Sequence, residues 1–400
     1  MISVKNSIFL LVVIGIVGLG VYIGTKRDKE AATIKRTYAQ ELRGLATCSG
    51  SLDIVTCASP FIPKLLDERP ATDVIDAVVE IKFPTNQCHY VVHIIGREIY
   101  QRTKDITKAL EQCSRFCNSA CLHGVISEAF TEEYGVRESE ESGHASSQQI
   151  LEKGKNLCTD RNTCHGVGHA LLVTYDDLDT ALAKCTETAA GIPLQDCYRG
   201  TFMEYSDGLS NRSLWLDSAP EYTSTSNLAS FCDRASAAES AACYYFLPII
   251  LRQTYRKEGI DEAREDSVMR IKPICLAQSD SAKRRSCVLG FGVTLYQMLQ
   301  RDEEGAIRIC EEFPERSDQV ACMAGMFSLS LEYGRTEQAI TYCSLLSDRS
   351  LRPTCYRAIF EKIDSLSGSI DDAKRFCPVG DTACVQSAET VKNQKTHEFF

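Results

Sequence analysis

Twenty cysteines constrain this chain more than any other feature, because they recur in register. Cys185 and Cys197, Cys275 and Cys287, Cys310 and Cys322, and Cys343 and Cys355 are each twelve residues apart, and Cys232 and Cys243 are eleven apart. Cys158 with Cys164 and Cys377 with Cys384 are shorter versions. Alanine stands four before the first cysteine in ALEQC, ALAKC, AIRIC, AITYC and AKRFC, and glycine three after the second in CLHG, CYRG, CVLG and CMAG. The pattern predicts α-hairpins. One helix ends near its cysteine, a short polar loop follows, and the next helix begins at the second cysteine, to which a disulfide staples it. The small residues are expected to let the two helices of one hairpin approach closely. Closing such a loop stabilises a hairpin by roughly 3 kcal/mol in the chain-entropy model.

Apolar residues in MFSLSLEYG (326–334) and AIFEKIDSLSG (358–368) recur at three and four, and glycine ends each run as a helix cap would. Pairs that recur every 33 to 47 residues, with two helices per unit, are the signature of an α-solenoid. The expected fold is all-α: disulfide-stapled α-hairpin repeats forming a superhelix. It resembles tetratricopeptide or Sel1-like arrays in architecture only, since the Trp/Leu/Gly/Tyr pattern of the former is missing. The frame also pairs Cys113 with Cys121, which leaves Cys88 for Cys117 and Cys48 for Cys57.

All the cysteines follow an apolar run, their number is even, and paired CxxC knuckles are absent. Disulfides in an oxidising compartment fit better than metal clusters in a reducing one. The run Ile8 to Gly24 (IFLLVVIGIVGLGVYIG) reads as a transmembrane signal anchor with the N-terminus cytoplasmic. Its Gly20 and Gly24 have a spacing that suits helix dimerisation. The expected location is a single-pass membrane protein with most of the chain outside the cytoplasm. A net charge of −10 without a basic stripe argues against nucleic acid. The expected segments are 1–30 (tip, anchor and basic flank), 31–79 (juxtamembrane helices with Cys48 and Cys57), 80–215 (a histidine-rich metal-binding module), 228–390 (stapled hairpins) and 391–400 (a flexible tail). The polar stretches 135–149 and 218–227 read as connections, and Asn211 to Ser213 is a glycosylation sequon.

Of seven histidines, His144 and His397 lie in polar surroundings and read as solvated. The other five fall in the cysteine frame. His89 and His165 directly follow Cys88 and Cys164, His93 and His169 come four later, and His123 stands two after Cys121. Glu128 and Glu204 stand seven after Cys121 and Cys197, and Arg199 takes the place of His123 in the later unit. The units alternate as CHxxxH, CxHGxxxE, CHxxxH and CxRGxxxE. Histidines at i and i+4 are about 40° apart on a helix and chelate one ion. Two such helices offer four imidazoles, with His123 as a fifth. Glu128 and Glu204 are ligands or groups that hold the imidazoles, and Arg199 pairs with a carboxylate or an anionic ligand. The bland alternative is five rings hydrogen-bonded to loop carbonyls.

The glutamate of HExxH is missing, as are a CxxCH haem motif, a phosphate loop and a G-x-S-x-G elbow. Imidazole-rich donors suit iron, copper or zinc, in a mononuclear or dinuclear centre. The expected function is a membrane-anchored metalloprotein, with a metal-dependent oxidoreductase favoured over a hydrolase. The alternatives are a non-catalytic adaptor with a structural metal or none, and a non-covalent bis-histidine haem protein. Tyr244, Tyr245, Phe246, Phe291, Tyr296, Phe327, Tyr333, Tyr342 and Tyr356 are either core or a surface for a protein or peptide partner.

Overall fold

A computed structural model describes residues 38–49, 51, 54–81, 83, 85–114, 116–134, 147–210, 230–257, 265–299, 302–332, 335–365 and 369–394. The helices are α1 (38–47), α2 (Ile54–Ala58), α3 (Ile62–Glu68), α4 (Ala71–Glu80), α5 (Thr85–Thr103), α6 (Ile106–Leu110), α7 (Phe116–Tyr134), α8 (Ser147–Leu157), α9 (Arg161–Tyr175), α10 (Leu178–Thr188) and α11 (Ile192–Ser210). After them come α12 (Ala237–Lys257), α13 (Glu265–Leu276), α14 (Ser281–Met298), α15 (Glu303–Glu311), α16 (Arg316–Glu332), α17 (Thr336–Leu345), α18 (Arg352–Ser365), α19 (Ile370–Lys374) and α20 (Thr382–Asn393). The protein is all-helical, with no strand among the described residues. The anchor at 8–24, the sequon, His144, His397, Tyr333, the stretch 218–227, most of 135–149 and the end of the tail lie outside those residues. Among the described residues no helix is long and apolar enough to cross a membrane.

Aspartates start many of the helices. Asp105, Asp160, Asp177, Asp280, Asp302 and Asp381 accept backbone N–H groups of the first turns of α6, α9, α10, α14, α15 and α20. Such caps satisfy donors that a helix end leaves open.

All ten disulfides join the partners that the spacing assigns. Four of them tie a shorter helix to the longer one after it: α10 to α11, α13 to α14, α15 to α16 and α17 to α18. The second cysteine does not start its helix, as the spacing suggests. Cys197, Cys287, Cys322 and Cys355 sit inside α11, α14, α16 and α18, three to six residues past the start. In α14 the added turn follows the Asp280 cap, so the staple grips a helix already begun.

The long helices pack each on the next: α5 on α7, α7 on α9, α9 on α11, then α12, α14, α16, α18 and α20, and α16 also touches α7. The repeat glycines act here, between successive long helices, and not between the arms of one hairpin. A Cβ on Gly124 of α7 would lie 2.0 Å from the His93 carbonyl oxygen of α5, and one on Gly96 of α5 would lie 2.1 Å from that of Cys121 on α7. The same reciprocal contact joins α9 to α11. Gly168 faces the Cys197 carbonyl at 2.0 Å and Gly200 faces that of His165 at 1.9 Å. Backbone touches backbone there, so nothing larger than hydrogen fits.

Buried side chains form two apolar clusters, one drawn from Leu45 to Ala129 and one from Ile126 to Val391. Helix α7 serves both: Val125 and Ala129 belong to the first, Ile126 and Phe130 to the second. Tyr244, Phe246, Phe291, Tyr296, Phe327 and Tyr356 are core residues. Tyr245 and Tyr342 are half-buried.

Candidate metal centre

The seam between the two cores holds the five histidines. His89 and His93 come from α5, His123 from α7, and His165 and His169 from α9. The close α5/α7 and α9/α11 contacts, and Gly166 against the Cα of His123 at 3.6 Å from where its Cβ would be, bring these helices together. His89, His93, His123 and His169 are buried, and His165 is half-buried.

The tight group is a triad. Ring centroids are 4.7 Å apart for His123 and His165, 4.9 Å for His123 and His169, and 4.9 Å for His165 and His169. One nitrogen of each lies within 4.8 Å of the other two. An ion about 2.1 Å from an imidazole nitrogen is about 3.2 Å from that ring's centroid, so rings sharing it at tetrahedral angles have centroids about 5 Å apart and rings beyond about 6.4 Å cannot share it. The triad meets that condition. His89 and His93 stand farther off, His89 6.4 Å from His169 and His93 6.4 Å from His123. The tightest grouping differs from the one the spacing suggests. The two equal pairs are not that grouping, and His123, expected as an extra, belongs to the triad.

The reason lies in the packing. From α5 to α9, 72 positions on, His93 becomes His165, Gly96 becomes Gly168 and Arg97 becomes His169. From α7 to α11, 76 positions on, Cys121 becomes Cys197, Gly124 becomes Gly200 and Glu128 becomes Glu204. The CHxxxH match equates His89 with His165 instead, which is one helical turn off. A four-residue slip turns a helix face by only about 40°, so sequence similarity tolerates it and packing does not.

This frame explains both carboxylates. Glu128 accepts from Arg97 Nε and from Gln101 Nε2, each at 2.8 Å, and so is held in an ion pair. At the equivalent place Glu204 Oε2 lies 2.7 Å from His169 Nδ1, while Glu204 Oε1 and His169 Nε2 are buried without a partner. When Glu204 is ionised it accepts from the His169 Nδ1–H, which leaves the lone pair on Nε2 and fixes the ring's orientation. His89 is held alike, its Nδ1–H donating to the Cys117 carbonyl at 3.0 Å. Cys117 has a left-handed backbone, φ 53°, and is bonded to Cys88, the neighbour of His89.

Burial holds His93, His123 and His165 well below the ordinary histidine range, helped by neighbouring rings, and burial takes His169 to about 3. Burial pushes Glu204 up to about 8, against the pull of Arg97. At neutral pH the triad rings are uncharged, with lone pairs available to a cation.

Arg199 does not reach into the triad's hydrogen bonding. It contacts Asp196 at 3.5 Å and lies over the Tyr245 ring at 5.8 Å. Met203 is a contact that the spacing does not mark. Its Sδ lies 3.3 Å from His165 Nε2, and its counterpart on α7 is Ser127, so the repeat carries no signal for it. Arg97 and the Cys117 carbonyl were equally unmarked, because a backbone acceptor and a one-turn slip leave no trace in composition. No family model matches the chain, and no curated protein or solved structure proves similar to it.

Proposed function

We propose that this chain is a redox metalloprotein whose His123, His165 and His169 hold a transition-metal ion, copper in preference to zinc or iron. The observation that carries the reading is the convergence of three neutral imidazoles with centroids 4.7 to 4.9 Å apart. A histidine-only set with a thioether beside it suits copper, and a soft donor favours its reduced state. Iron draws less support, because Glu128 is committed to Arg97 and the triad's own donors are all imidazoles. Haem draws less as well: a porphyrin needs a slot between its axial rings, and the five imidazoles crowd one another. In this reading the stapled hairpins form an α-solenoid, 80–215 being the metal module and 228–390 the scaffold. The segment 8–24 anchors it in an oxidising compartment, with which the ten disulfides are compatible.

Elemental analysis of the full chain, purified from an oxidising compartment, tests this. Stoichiometric copper that cycles reversibly in a potentiometric titration supports it. Redox-silent zinc would leave a structural ion. No bound transition metal, with a melting temperature indifferent to chelator, would favour the adaptor.

A further inference from the structure

His89 and His93 are left over by the triad, yet they are built as ligands. They stand one turn apart on α5, both buried, with ring centroids 5.8 Å apart. That separation is within reach of one ion, which needs about 5 to 6.4 Å. The Cys117 carbonyl fixes His89 so that Nε2 is its lone-pair nitrogen. The pair adjoins the triad, His93 being 6.1 Å from His169 and His89 5.6 Å from His123. Glu204, nine-tenths and more buried, adjoins the triad at His169. Its Oε2 is on His169, its Oε1 has no partner, and Arg97, one turn past His93, acts on its charge.

We propose that the centre is dinuclear, with a second transition-metal ion chelated by His89 and His93 and completed by Glu204 Oε1. This rests on the metal reading above. Among the described residues only the triad has its donor atoms mutually within 4.8 Å, so the second site closes on its ion by side-chain rotation and binds it more weakly.

The test is titration of the metal-free full chain with Cu(II), and separately with Zn(II), followed by elemental analysis after desalting. The expected result is two ions per chain, the first tighter than the second by tenfold or more, and one ion per chain in His89→Gln/His93→Gln. Glutamine keeps a polar side chain of similar size, and the melting curve reports whether the variant is folded. The wild-type count stands without any variant: a single ion per chain overturns the second site and leaves the triad intact. No ion at all overturns both. Loss of every ion from folded His89→Gln/His93→Gln also overturns the proposal, since the pair would then belong to one shared site.

Discussion

Arg97 and His169 occupy the same place in two packing units. Each is four residues past a carbonyl that touches a glycine of the next long helix, and each meets the glutamate seven residues past Cys121 or Cys197 on that helix. In one unit the pair is guanidinium and carboxylate, which serves structure. In the other it is imidazole and a buried carboxyl group, with the imidazole's Nε2 unpartnered beside two further histidines. A candidate site has been made from a scaffold contact by changing the basic partner.

The two glutamates should therefore part company on substitution. Glu204→Gln is expected to lower the affinity for the first ion by about 10- to 100-fold, the usual cost of losing a group that orients a ligating histidine. Glu128→Gln should leave that affinity unchanged and cost about 1 kcal/mol or less from a partly exposed ion pair. Competition against a chelator of known strength reads both.

Gly124→Ala and Gly200→Ala should each destabilise the fold by about 3 kcal/mol or more, because the new methyl meets a carbonyl oxygen and not a mobile side chain. Gly154→Ala is the control: its Cβ would meet the Thr188 side chain at 3.2 Å, a neighbour able to give way. Thermal or denaturant unfolding separates them. The first two should also weaken metal binding, since one parts α5 from the α7 that carries His123 and the other parts α9 from the α11 that carries Glu204.

The metal-free chain should be most stable near pH 6.5. The buried histidines have folded pKa values below the unfolded 6.5, so the unfolded chain binds more protons as pH falls. Their contribution is present above pH 6.5 and lost progressively below it. Glu204 has the opposite sign. Raised from 4.5 to about 8, it contributes fully below 4.5 and is lost as pH rises through 8. Several histidines outweigh one glutamate, so the acid limb should be the steeper. Melting temperatures of chelator-treated protein from about pH 5 to about pH 9 check this.

Much of the architecture was legible. Cysteine spacing gave the helical class and the partners of all ten disulfides, because a staple needs fixed reach. The five histidines stood out because the repeat continues from Glu204 to Thr396 without one. Their grouping did not, since CHxxxH registers a helix face and not its height along the neighbour. The height is set by Gly96, Gly124, Gly168 and Gly200, and their carbonyl partners lie on other helices. Met203 was hidden for a simpler reason: one thioether beside one histidine has no spacing to read.

X-ray absorption at the metal edge of the full chain loaded with one equivalent of Cu(II) tests the central claim most directly. Three imidazoles at about 2.0 to 2.1 Å, reduced to two in His123→Ala, is the predicted result. An imidazole count that His123→Ala leaves unchanged would contradict the triad.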